Sequence, residues 1–205
     1  TRMRLHTIAL LSAATALSTF TNRSTDGKDM LQFCVDNFRI MANESDFTRD
    51  MYLKRKDGSF TGIIAGNGTA ASLFDSQHHP EQLAMYSMPS LFHGTVEEIL
   101  TTVQPSYVNV SDFDQFNEAF QLVNSTNKAG WTTTYTRSIF PEHLFMSFLV
   151  PTIRDAADRT ESSIGSDITT ESMTEFITMK ALELKSTIVI IERATGYLVA
   201  TSDPK

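Results

Sequence analysis

Residues 162–202 constrain the fold more tightly than any other part of the chain. They run Ser162-Ser-Ile-Gly-Ser-Asp167-Ile-Thr-Thr-Glu171-Ser-Met-Thr-Glu-Phe176-Ile and, further on, Ser186-Thr-Ile-Val-Ile-Ile-Glu-Arg-Ala-Thr-Gly196-Tyr-Leu-Val-Ala-Thr-Ser202. The pattern predicts a short strand, an amphipathic helix and a hairpin. Met173, Phe176, Ile177, Ala181 and Leu184 recur at helical spacing and offer one apolar stripe to a sheet. Thr169 or Thr170 can cap the helix start, and Glu171 and Glu175 suit its positive end. The β-branched run 188–191 reads as a strand buried on both faces. Ala194-Thr195-Gly196 supplies a turn, and residues 197–201 the returning strand. A hairpin alone is too small to be stable. The expectation is therefore that it opens a second module.

The 205 residues are 41% hydrophobic, with 14 Phe and 9 Met, which is enough for a packed core. A formal net charge of −7 argues against a nucleic-acid surface, and no dense Lys/Arg cluster overrides it. Lys54-Arg55-Lys56 lies beside a turn and reads as a solvated hairpin end. The single cysteine, Cys34, excludes an internal disulfide framework and a cysteine-rich zinc site. It shares a helical stripe with Leu31, Val35 and Phe38 and reads as a buried, inert thiol.

Asparagine marks the compartment better. Asn22, Asn43, Asn67, Asn109 and Asn124 each begin an acceptor triplet for N-glycosylation, five of the chain's eight asparagines. The expectation is a glycoprotein of the secretory pathway, exposed on the extracellular face of the plasma membrane. Residues 3–18 carry a basic residue, a short apolar run and small residues, as a leader does. Met3, Ile8, Leu11 and Phe20 also fit one helix face, and a structural helix is the preferred reading. The run is too short to span a bilayer, so a membrane segment would lie outside residues 1–205.

Two helices are predicted first, over residues 3–21 and 28–42. Met30, Leu31, Cys34, Val35, Phe38 and Met41 form the stripe of the second. Residues 51–55 and 60–65 flank Lys56-Asp57-Gly58, a strong hairpin signal. Residues 83–88 read as a strand, 113–123 as a helix, and 131–137 and 144–150 as two strands, the last closed by Pro151. This order gives an α+β fold, an antiparallel sheet with helices on one side.

Signatures of catalysis are thin. The glycine-rich stretch 62–68 lacks the Lys-Ser/Thr of a phosphate loop. His78-His79 lacks further ligands at helical spacing, so no metal is expected. There is no Gly-x-Ser-x-Gly elbow. Asp112, Asp114 and Glu118 read as a solvated helix face. Binding chemistry is the better prospect. Trp131 and Tyr135, four apart on one predicted strand, would share a face. Asp167 follows an apolar run that ends at Ile164, and it precedes Ile168, an awkward place for a charge. It reads either as a carboxylate that serves backbone amides before a helix or as a pocket anion for an amine or cation.

The order of these features resembles the double Cache family of extracellular sensor domains. It comprises helix–helix, an Asp-Gly-Ser-Phe hairpin, an aromatic helix and a Trp-x-x-x-Tyr strand. A strand reaching Val150-Pro151, the Gly165-Ser-Asp167-Ile-Thr helix start and the Ile190-Ile-Glu192-Arg to Leu198-Val-Ala-Thr-Ser202 hairpin follow. The resemblance covers nearly the whole chain. Its closing hairpin is similar to Cache regions that precede nucleotide cyclases and kinases in protists and bacteria. It implies a long N-terminal helical stalk (1–45), a membrane-distal PAS-like antiparallel module (46–185) and the first hairpin of a proximal module (186–205). It also implies a small-molecule ligand and no cofactor, with a homodimer through the N-terminal helix as a further expectation.

Amine- and amino-acid-binding members of the family carry a Tyr, an Arg-x-Trp-Tyr element, a second Tyr and an Asp before the last helix. Tyr135 and Asp167 match the last two, and Tyr107 falls within one residue of the first. The Arg-x-Trp-Tyr stretch reads Asp112-Phe-Asp-Gln115-Phe116, with Phe116 the nearest stand-in for its Tyr. Without that arginine no planar fork holds a ligand carboxylate. The resemblance thus implies a non-catalytic sensor that takes an amine, another cation or a neutral molecule. The alternative is an interaction module with an empty pocket, as in auxiliary channel subunits.

Overall fold

The computed structural model describes residues 11–13, 15, 27–44, 49–65, 70–76, 82–91, 93–109, 121, 123, 125–137, 140–154, 157, 160–193 and 195–203. Helix α1 (Gly27–Glu44) leads into the hairpin of β1 (Asp50–Arg55) and β2 (Phe60–Ala65). Next come β3 (Ala71–Asp75), β4 (Gln82–Met88), α2 (Val96–Thr102) and β5 (Ser106–Asn109). Two short strands, β6 (Gly130–Trp131) and β7 (Tyr135–Arg137), precede the long pair β8 (Phe140–Arg154) and β9 (Thr160–Thr169). Helix α3 (Thr170–Leu184) and the hairpin β10 (Val189–Ile191) and β11 (Leu198–Thr201) complete the order.

Among the described residues nine strands form one sheet in the order β5-β4-β3-β2-β1-β9-β8-β6, with β7 also paired to β8. All its pairings are antiparallel, so the expected α+β class is observed. Chain reversal between β1 and β2 uses Gly58 at φ +89°, a backbone region open to glycine. Asp57 steadies that turn by accepting the Ser59 N–H at 2.8 Å.

Register assigns the two faces of the sheet. Met51, Leu53, Ile63, Leu73, Val150 and Ile164 share one face, which α1 covers with Met30, Leu31, Cys34, Val35, Phe38 and Met41. Each of those six α1 side chains is at most 2% exposed, so the stripe is the core itself. Burying each larger one contributes roughly 1.5–3 kcal/mol. The opposite face carries Asp50, Tyr52, Lys54, Phe60, Ile64, Phe74, Leu83, Leu149 and Asp167, and Val123 packs on its apolar part.

Several expectations need correction. Residues 131–137 do not form one strand: 132–134 break it into β6 and β7. Pro151 does not end β8, which runs on to Arg154. Ser147 sends its N–H away from β9, to Thr132, and period two gives residue 151 the same outward side. There, beyond the last β6 partner, Leu149, a missing N–H breaks no described ladder. Strand β3 lacks a clear alternation because both its faces are largely buried, which hid it from pattern reading. Lys54 is buried rather than solvated, because its strand lies inside the sheet between β2 and β9. The run 188–191 is not buried on both faces: Val189 and Ile191 are 50% and 59% exposed. Its two-stranded sheet has one covered side, where Ile188, Ile190, Val199 and Ala200 pack on Met173 and Ile177 of α3. Leu184, read as part of the α3 stripe, is exposed. The predicted first helix and the 113–123 helix lie mostly outside the described residues, although 11–13, 15, 121 and 123 are helical.

Candidate functional site

The site forms where β1, β9, β8 and β7 run side by side. Ser147 and Asp167 are direct cross-strand partners, so their side chains share a face. Tyr135 pairs with Phe145, two residues from Ser147, and lies on that same face. The three side chains meet. Tyr135 donates its hydroxyl to Asp167 Oδ2 at 2.5 Å, and the Ser147 hydroxyl donates to Asp167 Oδ1 at 2.6 Å. Their own oxygens stand 2.5 Å apart. Asp167 and Ser147 are both 0% exposed.

The other flank is Asp50. Ladder pairing of β1 with β9 begins at Tyr52–Gly165, two pairs short of Asp50 and Asp167. Asp50 Oδ1 accepts the Asp167 N–H at 2.7 Å, and its carbonyl accepts the Ser166 hydroxyl at 2.6 Å. The carboxylate thus extends the ladder with a side-chain acceptor, and the Arg49 N–H to Asp167 carbonyl bond closes it at 3.1 Å. Two buried carboxylates therefore sit beside each other on one sheet face. Thr132 adds the last support: its N–H donates to the Ser147 carbonyl at 2.9 Å and its Oγ1 accepts the Ser147 N–H at 3.0 Å.

Tyr52 forms the floor next to this cluster. Its ring lies over Gly165, where an added Cβ would stand 2.4 Å from Cζ. Phe60 stacks on Tyr52 with ring centroids 5.1 Å apart. Glycine at 165 is thus a packing requirement, since only a hydrogen leaves room for the ring.

The structure joins two of the five residues read as ligand contacts, Tyr135 and Asp167. Trp131 belongs elsewhere. It pairs with Phe148, whose side chain faces α1, and their rings are 5.1 Å apart. The break at 132–134 reverses the face between Trp131 and Tyr135, so four-residue spacing no longer means one side. Tyr107 lies on β5, five strands from β9, on the order of 24 Å at the usual strand spacing. Its pairing with Ala84 also places it on the α1 side. Phe116 lies outside the described residues, as do Asn22, Asn67 and Asn124. Asn43 falls in the last turn of α1 and Asn109 ends β5. His78-His79, Asp112, Asp114 and Glu118 also lie outside them.

Pattern reading missed Ser147, Asp50 and Thr132. Ser147 had a signal: it is the one polar residue in Leu144-Phe-Met-Ser-Phe-Leu-Val150. Asp167 does not serve helix amides as a cap. That task falls to Thr169, whose Oγ1 accepts the Ser172 N–H at 3.1 Å. Among the described residues no group of three or more His, Cys, Asp or Glu side chains could hold a metal ion. No helix among them is long and apolar enough to cross a membrane.

No protein-family model matches the chain, and no curated protein matches it. Among solved structures it is similar to the ligand-binding domain of the Campylobacter jejuni chemoreceptor Tlp3, crystallised with 4-methylisoleucine. That likeness has 11% identity and a TM-score of 0.43, over 99% of this chain and 72% of the other.

Proposed function

We propose that the chain is a small-molecule sensing domain whose ligand contact is Asp167 on the sheet face opposite α1. The observation that carries this reading is a fully buried carboxylate ringed by the Tyr135 and Ser147 hydroxyls. A buried charge in the middle of a sheet is costly, and such groups concentrate where a protein binds or reacts. With Asp50 alongside, the site is acidic, and it favours an amine, another cation or a neutral hydrogen-bond donor over an anion. A cation approaching Asp167 Oδ2 competes with the Tyr135 hydroxyl, so binding would remodel β7.

In this reading residues 46–185 are the sensing module, and 186–205 begin a second one on the path to an output domain. The domain would face the extracellular side, with glycans on the five acceptor asparagines. A second reading, an interaction module without a ligand, is favoured by the complete burial of Asp167. Calorimetry on the purified chain, with primary amines, quaternary ammonium ions, zwitterions and free carboxylates, separates the two. Sensing predicts heat from cationic members; binding only of free carboxylates would sink it, and silence across the panel favours the interaction module.

A further inference from the structure

The β10–β11 hairpin forms a sheet separate from the nine-stranded one, and the Glu192 carboxylate bonds it to the segment that carries Tyr135. Glu192, at the end of β10, accepts the Thr134 N–H on Oε1 at 2.8 Å. Its other oxygen, Oε2, accepts the Thr195 hydroxyl. Main-chain bonds fix Glu192 within the hairpin: its N–H donates to the Tyr197 carbonyl, and its carbonyl accepts the Gly196 N–H, each at 2.8 Å.

Thr134 is the residue before Tyr135, in the break between β6 and β7. That break is held at three points. Thr132 is bonded in both directions to the Ser147 backbone, Thr134 is bonded to Glu192, and Tyr135 reaches Asp167. Trp131, just before it, packs against both the α1 core and the cluster beneath the hairpin. Residues 132–134 lie outside any ladder, so a displacement of Tyr135 reaches the Thr134 amide across one peptide unit. A backbone donor meeting a carboxylate in a half-buried setting is a strong, directional contact.

We infer that Glu192 is the positioning residue that couples the state of the Asp167 site to the hairpin. When Tyr135 leaves Asp167, the Thr134 N–H moves from Glu192 and the hairpin loosens; when Tyr135 is seated, the hairpin is held. This inference rests on the sensing reading for its purpose, but the coupling exists or fails without a ligand.

Native-state amide exchange, followed by NMR on the full chain, tests it in a mutant cycle. The readouts are the hairpin amides of Gly196 and Ser202, which donate to the Glu192 and Ile188 carbonyls. The Ser76 amide, bonded to the Phe60 carbonyl at 3.0 Å, is the distant reference. Tyr135→Phe should speed exchange at Gly196 and Ser202, relative to Ser76, about tenfold, the scale of one such bond. In the Glu192→Ala background the same substitution should change those rates less than about twofold. Glu192→Gln keeps an acceptor for Thr134 without the charge and should fall between, rescuing part of the coupling. Equal acceleration by Tyr135→Phe in all three backgrounds, or none in the wild type, overturns the inference. Because the cycle uses no ligand, its failure counts against the coupling alone, whereas failure of the amine titration counts against sensing alone.

Discussion

Removing one oxygen from Tyr135 measures how tightly the site is held. In Tyr135→Phe the Phe145 ring, 6.2 Å away between centroids, remains as a packing partner, and the hydroxyl that seats the side chain on Asp167 is lost. The bond deleted is a charge-assisted one to Asp167 Oδ2. Each hydroxyl carries one proton, and Tyr135 and Ser147 both direct theirs to the carboxylate, so one strong bond is lost rather than two. A hydrogen bond to a charged group contributes about 1.5–3 kcal/mol, and Asp167 has no access to bulk water to replace it. For a chain of this size each kcal/mol moves Tm by about 2–4 °C, so the variant should melt roughly 3–12 °C lower. The assay is reversible denaturation followed by circular dichroism, with Tyr197→Phe as the control. Tyr197 is 69% exposed, and its variant should match the wild type within about 0.5 kcal/mol. A Tyr135→Phe variant as stable as that control would refute the account of Asp167 as a carboxylate held by side-chain hydroxyls.

Further outcomes follow from the packing. Gly165→Ala pushes a methyl into the Tyr52 ring and should cost about 1–3 kcal/mol by chemical denaturation; a neutral result would mean the ring moves freely. Phe38→Ala hollows the fully buried centre of the α1 stripe and should cost about 3–5 kcal/mol on the same assay. Burial pushes the Cys34 thiol from 9.0 up to about 12, so the folded protein should resist thiol reagents at pH 8 and react once unfolded. The raised folded value fixes the sign of the pH dependence. Stability from this group is complete below about pH 9 and drains away as pH climbs towards 12, so a Cys34→Ala variant should show a flatter alkaline limb.

The elements built on unbroken periodicity were legible in the sequence. The α1 stripe, the β1–β2 hairpin around Asp57-Gly58 and the Thr169-capped α3 all follow from local chemistry. Asp167 stood out in the sequence between Ile164 and Ile168, but as either a helix-leading carboxylate or a pocket anion; its bonds from the Tyr135 and Ser147 hydroxyls depend on strand register and could not be read there. Trp131 was misplaced because spacing assigns a face only along a continuous strand, and the break at 132–134 cannot be read from three threonines. Tyr107 was misplaced because its nearness to the family's first Tyr says nothing of strand order, which puts β5 at the far edge. Asp50 was invisible for a different reason. It touches Asp167 across 117 positions of chain, a pairing set by the register of β1 on β9 and by nothing local.

The claim at the centre is that Asp167 receives a ligand's positive charge. Calorimetric titration of the wild type and of Asp167→Asn with the tightest-binding amine tests it most directly, since Asn keeps the shape and removes the charge. The account predicts a loss of affinity of at least about tenfold, the scale of one charge-assisted bond. Unchanged amine affinity in Asp167→Asn would contradict it.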